Sequence, residues 1–148
     1  MSRPLVLGLV AEGTSDLYFL KPLVMRQVRA LLEKSAGADV DLAGEPLLCP
    51  TATMVSDPAK LHREISELAH RCHVLFIHSD ANEQHKAENL TWIVEPLPAA
   101  PVIVVPKKET EAWILADPAA FAGLPGADTS GLPASAKAVE KVSKPKHV

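Results

Sequence analysis

The 148-residue sequence predicts an α/β fold, with a central, mostly parallel four-stranded sheet and helices on both faces. Three observations carry that expectation. Short, continuous apolar runs recur along the chain and suit strands covered on both sides. Stretches with helical periodicity separate them, and such alternation favours a parallel sheet with crossover helices. Three of the four apolar runs lead into acidic residues rather than into hairpin turns.

The first strand is predicted at Leu5–Val10, a run with no helical period. It ends at Ala11-Glu12-Gly13-Thr14-Ser15-Asp16, where Gly13 permits a tight turn and Thr14 or Ser15 can cap a helix. Leu17, Leu20, Val24, Val28 and Leu31 then recur at three- and four-residue spacing and define one buried helix face. Pro22 lies inside this span and should kink the helix or begin a second segment. The pattern fades at Lys34-Ser35-Ala36-Gly37, and residues 38–44 read as a loop or an ill-defined strand. Pro46-Leu47-Leu48-Cys49-Pro50 predicts a short second strand near a sheet edge, because prolines bracket it. Asp57-Pro58 is a helix start, with a carboxylate cap and proline at the first helical position. Leu61, Ile65, Leu68 and Ala69 form the buried face of that helix.

A third strand is expected at Val74–Ile77, running into His78-Ser79-Asp80-Ala81-Asn82. A polar loop over residues 83–89 leads to a helical stretch with Leu90, Ile93, Val94 and Leu97 on one side, ended by Pro98 and Pro101. Val102–Val105 is the fourth strand, closed by Pro106, and a short helix follows over residues 107–117. From Gly123 the composition turns to Gly, Pro, Ser and Ala, with one further short helix expected over residues 135–142. The ending Lys144-Pro145-Lys146-His147-Val148 completes no element, and reads either as a truncation or as a tail that packs on a partner.

Composition bounds the function. Apolar residues make up 47% and charged residues 22%, an ordinary globular mix for one domain. A net charge of −3 advertises no global basic field for nucleic acid, although local basic patches can coexist with an acidic total. Cys49 and Cys72 are far apart, form no CxxC, and read as buried or inert thiols in a reducing cytoplasm. The six His show no zinc-ligand spacing. No apolar run approaches the roughly 20 residues needed to span a membrane, and none has the form of a signal peptide.

Ligands of open parallel sheets bind beyond the carboxyl ends of the strands. Glu12 follows the first strand, Asp80 the third, and Glu109 and Glu111 the fourth. Each acid has an ordinary explanation too, since Glu12, Glu109 and Glu111 all suit a helix amino end and Asp80 suits a turn. Brought to one edge, clustered carboxylates repel unless a cation sits among them, and oxygen donors suit Mg²⁺ or Mn²⁺. Asp16, four residues after Glu12, is either a surface helix residue or a carboxylate that supports the ligands from behind. Lys107 and Lys108 are candidate phosphate contacts, or solvated edge residues. His78 and His85 border Asp80 and are candidate phosphate contacts or proton shuttles, or structural residues. Trp113 is expected in a core or interface, with base stacking as the other option.

These motifs resemble those of Toprim domains, which occur in topoisomerases, bacterial primases, small RNA-maturing nucleases and the overcoming-lysogenization-defect nucleases. Glu12-Gly13-Thr14-Ser15-Asp16 after an apolar strand is similar to the glutamate-bearing first motif. Asp80-Ala81-Asn82 matches the first position of the Asp-x-Asp motif and departs at the second. Glu109-Thr110-Glu111-Ala112-Trp113-Ile114-Leu115 is similar to a Glu-x-Glu-Ala-hydrophobic motif of small Toprim-like bacterial proteins encoded beside ATPases. The resemblance spans residues 5–117 and implies a Toprim-like domain over 1–122, with a loop-rich tail over 123–148. It implies a divalent-metal-dependent nuclease or phosphodiesterase in the cytoplasm, acting on DNA or RNA, as a defence effector with an ATPase partner. Glu12 would then act as general acid/base or metal ligand, and Asp80 would hold Mg²⁺ or Mn²⁺. Asn82 keeps a neutral oxygen where a second Asp is usual, so Glu109 or Glu111 would have to supply the missing charge. The single Tyr18 lies on the first helix, which speaks against strand-passing chemistry through a covalent tyrosine.

Two other readings compete. The acidic net charge and Asn82 also suit a non-catalytic Toprim-like module that binds a protein or nucleotide. A flavodoxin-like or receiver-like domain shares the βα alternation, but a receiver needs an acidic pair after its first strand and a later Lys, which this chain does not supply cleanly.

Overall fold

The apolar run at the amino terminus forms two strands in line, β1 (Arg3–Leu5) and β2 (Leu7–Val10). The computed structural model describes residues 2–35, 39–49, 58–79, 97–106, 110–115, 117, 121, 124–126, 128–133, 135–139 and 141, without the side chains of Pro58, Glu111, Ile114 and Ala136. Helix α1 (Thr14–Lys34) follows β2, and β3 (Val40–Leu42) and β4 (Leu47–Leu48) come next. Helix α2 (Pro58–Ala69) leads to β5 (Val74–His78). Later come β6 (Ala100–Val104), α3 (Thr110–Ile114) and α4 (Ala136–Val139).

The main sheet has the order β4-β2-β5-β6, and every described pairing in it is parallel. A second, two-stranded parallel pairing joins β1 to β3. The chain therefore leaves β2 for β4 on one side and returns to β5 on the other. The strand order reverses between β2 and β5, and open parallel sheets bind ligands beyond the carboxyl ends of the strands at such a point.

Side-chain alternation along β2 and β5 sorts the helices onto opposite faces. Val10, Leu75 and Ile77 pack with Leu61, Ile65, Leu68 and Ala69 of α2. Leu9 and Phe76 pack with Leu17, Leu20 and Leu23 of α1. This is the α/β architecture expected, with helices on both faces of a parallel four-stranded sheet. The edge position of β4 is also as expected.

Gly8 explains how closely α2 approaches. A Cβ built there would lie 2.7 Å from Leu75 Cδ1, 2.9 Å from Cys72 Sγ and 3.4 Å from Leu68 Cγ. The absent side chain lets the segment after α2 pack directly on the β2 backbone. At the other end of the strand run, Val6 interrupts the ladder and is held by His73. The Val6 N–H donates to His73 Nδ1 at 3.0 Å, and the His73 N–H donates back to the Val6 carbonyl at 2.8 Å.

Several local expectations are corrected. Helix α1 is one segment from Thr14 to Lys34, so Pro22 begins no second helix. Pro22 and Tyr18 are both exposed, so water can satisfy the carbonyl that proline leaves without a donor. Leu31 is 62% exposed rather than buried. The 21 residues of α1 extend about 32 Å, whereas four-residue β2 extends only about 13 Å, so the last turns outrun the main sheet. Residues 40–42 form a strand, β3, although only three residues long. The cap of α1 is Gly13 in extended conformation, with no side-chain cap bond from Thr14 or Ser15.

The chain divides into two compact units, one of Met1–Ser79 with Glu88–Val104 and the other of Asp80–Ala87 with Val105–Val148. In the second unit, Ala112 and Leu115 pack with Val139 and Leu132. The predicted helix around Leu90, Ile93 and Val94 lies outside the described residues. Among the described residues, no helix is long and apolar enough to cross a membrane.

Candidate functional site

The carboxyl ends of β2 and β5 meet at the point where the strand order reverses. Val10 pairs with Ile77, so continuing the register places Glu12 across from Ser79. The structure joins these two residues: the Ser79 hydroxyl donates to Glu12 Oε2 at 3.3 Å. The Ser79 backbone N–H donates to the Val104 carbonyl at 3.3 Å, so β6 extends the ladder one residue past β5. Ser79 is buried, while Glu12 is half-buried.

Asp16 enters from the first turn of α1. It is 8% exposed, with Leu20 and Val24 one and two turns further along the same buried stripe. A carboxylate at this position gains from the helix dipole, but burial costs it hydration. Among the described residues no cationic side chain pairs with it. Gly13 makes room for this group: a Cβ there would sit 3.0 Å from Asp16 Oδ2. Asp16 is thus not a surface helix residue, but a buried acid beside the strand end that carries Glu12.

His78, the last residue of β5, is fully buried. Tyr18 is 78% exposed on α1, and Trp113 is 37% exposed rather than set in a core. Asp80, Asn82, His85, Lys107, Lys108 and Glu109 lie outside the described residues. Glu111 lies in α3, where only its backbone is described. Ser79 was not among the expected site residues. Its signal was positional, one residue beyond an apolar strand and opposite Glu12 in the extended register.

Oxygen donors such as the Glu12 carboxylate and the Ser79 hydroxyl suit a hard divalent cation such as Mg²⁺ or Mn²⁺ better than zinc. Among the described residues, no group of three or more His, Cys, Asp or Glu side chains is arranged to hold a metal ion. A cleft of about 490 Å³, lined by Arg29, Leu32, Glu33, Val40, Asp41 and Leu42, lies by the last turns of α1 and contains none of the site residues.

Cys49 and Cys72 are both buried and outside any disulfide. Burial pushes the Cys72 thiol up from its ordinary value of 9.0. Comparison with protein-family models, curated proteins and solved structures returns no match.

Proposed function

We propose that the chain is a Toprim-type, divalent-metal-dependent nuclease or phosphodiesterase, working as a defence effector with an ATPase partner. The observation that carries this reading is a buried carboxylate, Asp16, in the first turn of the helix that follows Glu12 at the carboxyl end of β2. An acid buried there without a cationic partner among the described residues is costly unless a cation joins it. The Toprim resemblance supports the same position, because its glutamate motif falls on Glu12. It would add Asp80, the residue after Ser79, and Glu109 or Glu111 as further ligands, with Asn82 as a neutral donor. Lys107 and Lys108 would then meet the phosphate backbone of DNA or RNA.

When bound, Mg²⁺ or Mn²⁺ would stabilise charge developing on phosphate and lower the pKa of a bound water. Glu12 would hold the ion or move a proton, with Oε2 oriented by the Ser79 hydroxyl. Asp16 would add negative charge from the helix amino end and favour the cation.

The test is cleavage of single- and double-stranded DNA and RNA with Mg²⁺ or Mn²⁺. Loss of a general acid/base or metal ligand costs about 100-fold or more, so Glu12→Ala and Asp80→Ala should each abolish most activity. Unchanged activity in both variants refutes the site. Asn82 favours the second reading, a binding module without catalysis. That reading predicts no cleavage by the wild type on any of these substrates.

A further inference from the structure

We propose that β6 is the seam of a weak symmetric dimer, its outer edge pairing antiparallel with β6 of a second copy across a two-fold axis at Ile103. Among the described residues β6 pairs with β5 alone, which leaves it at the edge of the main sheet. The Ala100 N–H donates to the His73 carbonyl at 2.9 Å, and the Ser79 N–H donates to the Val104 carbonyl at 3.3 Å. Backbone direction alternates along a strand, so Ala100, Val102 and Val104 turn their backbone polar groups towards β5. Pro101 and Ile103 turn theirs outward. A proline at an outward position costs the sheet no ladder bond.

Natural sheets guard such an edge with charge, above all with lysine. Here no charged residue occurs from Leu97 to Pro106. Ala100, Pro101, Val102 and Ile103 are all exposed, the last two at 38% and 40%. Ile103 lies beside Ile77 on the α2 side of the sheet, and Val102 beside Phe76 on the α1 side, so apolar surface is exposed on both faces. Outward N–H and carbonyl groups on an apolar edge fit another strand, and the absence of charge lets β6 meet its own copy without repulsion. Pro101 sets the register. Centred on Ile103, the two copies of that residue exchange both backbone bonds, and Val102 of each copy faces Val104 of the other as a close β-branched pair. Centred on Val102, each Ile103 carbonyl would face a proline with no N–H to give. Five residues span only about 17 Å, too little for the roughly 800 Å² per partner of a standard interface, so the dimer is weak.

The test is sedimentation velocity of the full chain from about 10 to about 500 µM, a range suited to a weak interface. Wild type should pass from monomer towards dimer over that range. Ile103→Lys and Ile103→Glu each set like charges opposite one another at the axis, so each should dimerise at least about 10-fold more weakly. An equimolar mixture of the two should recover dimer to within about threefold of wild type, because residue 103 faces its own copy. Urea melts establish that each variant folds. Independently of any variant, hydrogen exchange at the wild-type Ile103 amide should slow as chain concentration rises. A wild type that stays monomeric throughout overturns the proposal and leaves the edge to a strand of another protein. A dimer that both charged variants keep, that the mixture does not restore, or that leaves Ile103 exchange unchanged overturns it as well.

Discussion

Replacing Gly8 by alanine tests the packing that sets the strand carrying the site. The added methyl would meet Leu75 Cδ1 at 2.7 Å and Cys72 Sγ at 2.9 Å, both shorter than real carbon contacts permit. Leu75 is fully buried and Cys72 is 8% exposed, so neither can swing into solvent to make room. Overpacking of this kind costs about 1–3 kcal/mol. Loss of glycine freedom in the unfolded chain returns roughly 0.4–1 kcal/mol. The net expectation is a destabilisation of about 1–2 kcal/mol, or a melting temperature roughly 2–8 °C lower. Urea unfolding followed by circular dichroism measures it. Gly8→Ala should also cost at least about 0.5 kcal/mol less in a Leu75→Val background, where the nearest atom is gone. A Gly8→Ala protein as stable as wild type, or an equal cost in both backgrounds, refutes the packing argument.

Two further outcomes follow from buried groups. Asp16→Asn keeps the side-chain shape and removes the carboxylate, so it should gain less stability from added Mn²⁺ than wild type does. An equal Mn²⁺ response in both proteins would contradict the placement of Asp16 at a cation site. Cys72 gives a pH signature, because burial raises its thiol pKa in the folded chain above the ordinary 9.0. The unfolded thiol then ionises first, so its contribution is fully present below pH 9.0 and is lost as pH rises towards and through the folded value. Urea midpoints from about pH 8 to about pH 10.5 should therefore fall more steeply for wild type than for Cys72→Ala, and parallel curves would contradict it.

Much of the fold was legible because burial on both faces leaves a strong signature. The run at Val74–Ile77 became central strand β5, one residue longer, whereas the run at Leu5–Val10 was split at Val6: Leu7–Val10 pairs with β5, and Leu5 ends β1, which pairs with β3. Leu61, Ile65, Leu68 and Ala69 all reached the core as their spacing required. The misses were physical. Strand β3 alternates Asp41 with two half-buried neighbours, too short and too polar to show a pattern. Leu31 kept its helical spacing, but periodicity says nothing about where the sheet beneath a helix ends. Pro22 obeys the donor rule, yet its solvent-facing position makes the lost bond tolerable.

The site was legible in part. An acid following an apolar strand places Glu12 at the sheet's carboxyl edge without any structure. The burial of Asp16 was hidden because an acid in a first helical turn is ordinarily a surface feature. Its spacing of four from Leu20 and eight from Val24 carried the missing information. Ser79 was hidden because strand register, which sets it across from Glu12, belongs to pairing rather than to sequence.

The central claim is that a divalent cation binds at the β2–β5 strand ends with Glu12 as a ligand. Anomalous scattering from crystals soaked in Mn²⁺ measures this directly. The account predicts a peak bonded to the Glu12 carboxylate, absent in crystals of Glu12→Gln. A peak elsewhere, or no peak beside Glu12 in well-diffracting wild-type crystals, contradicts it.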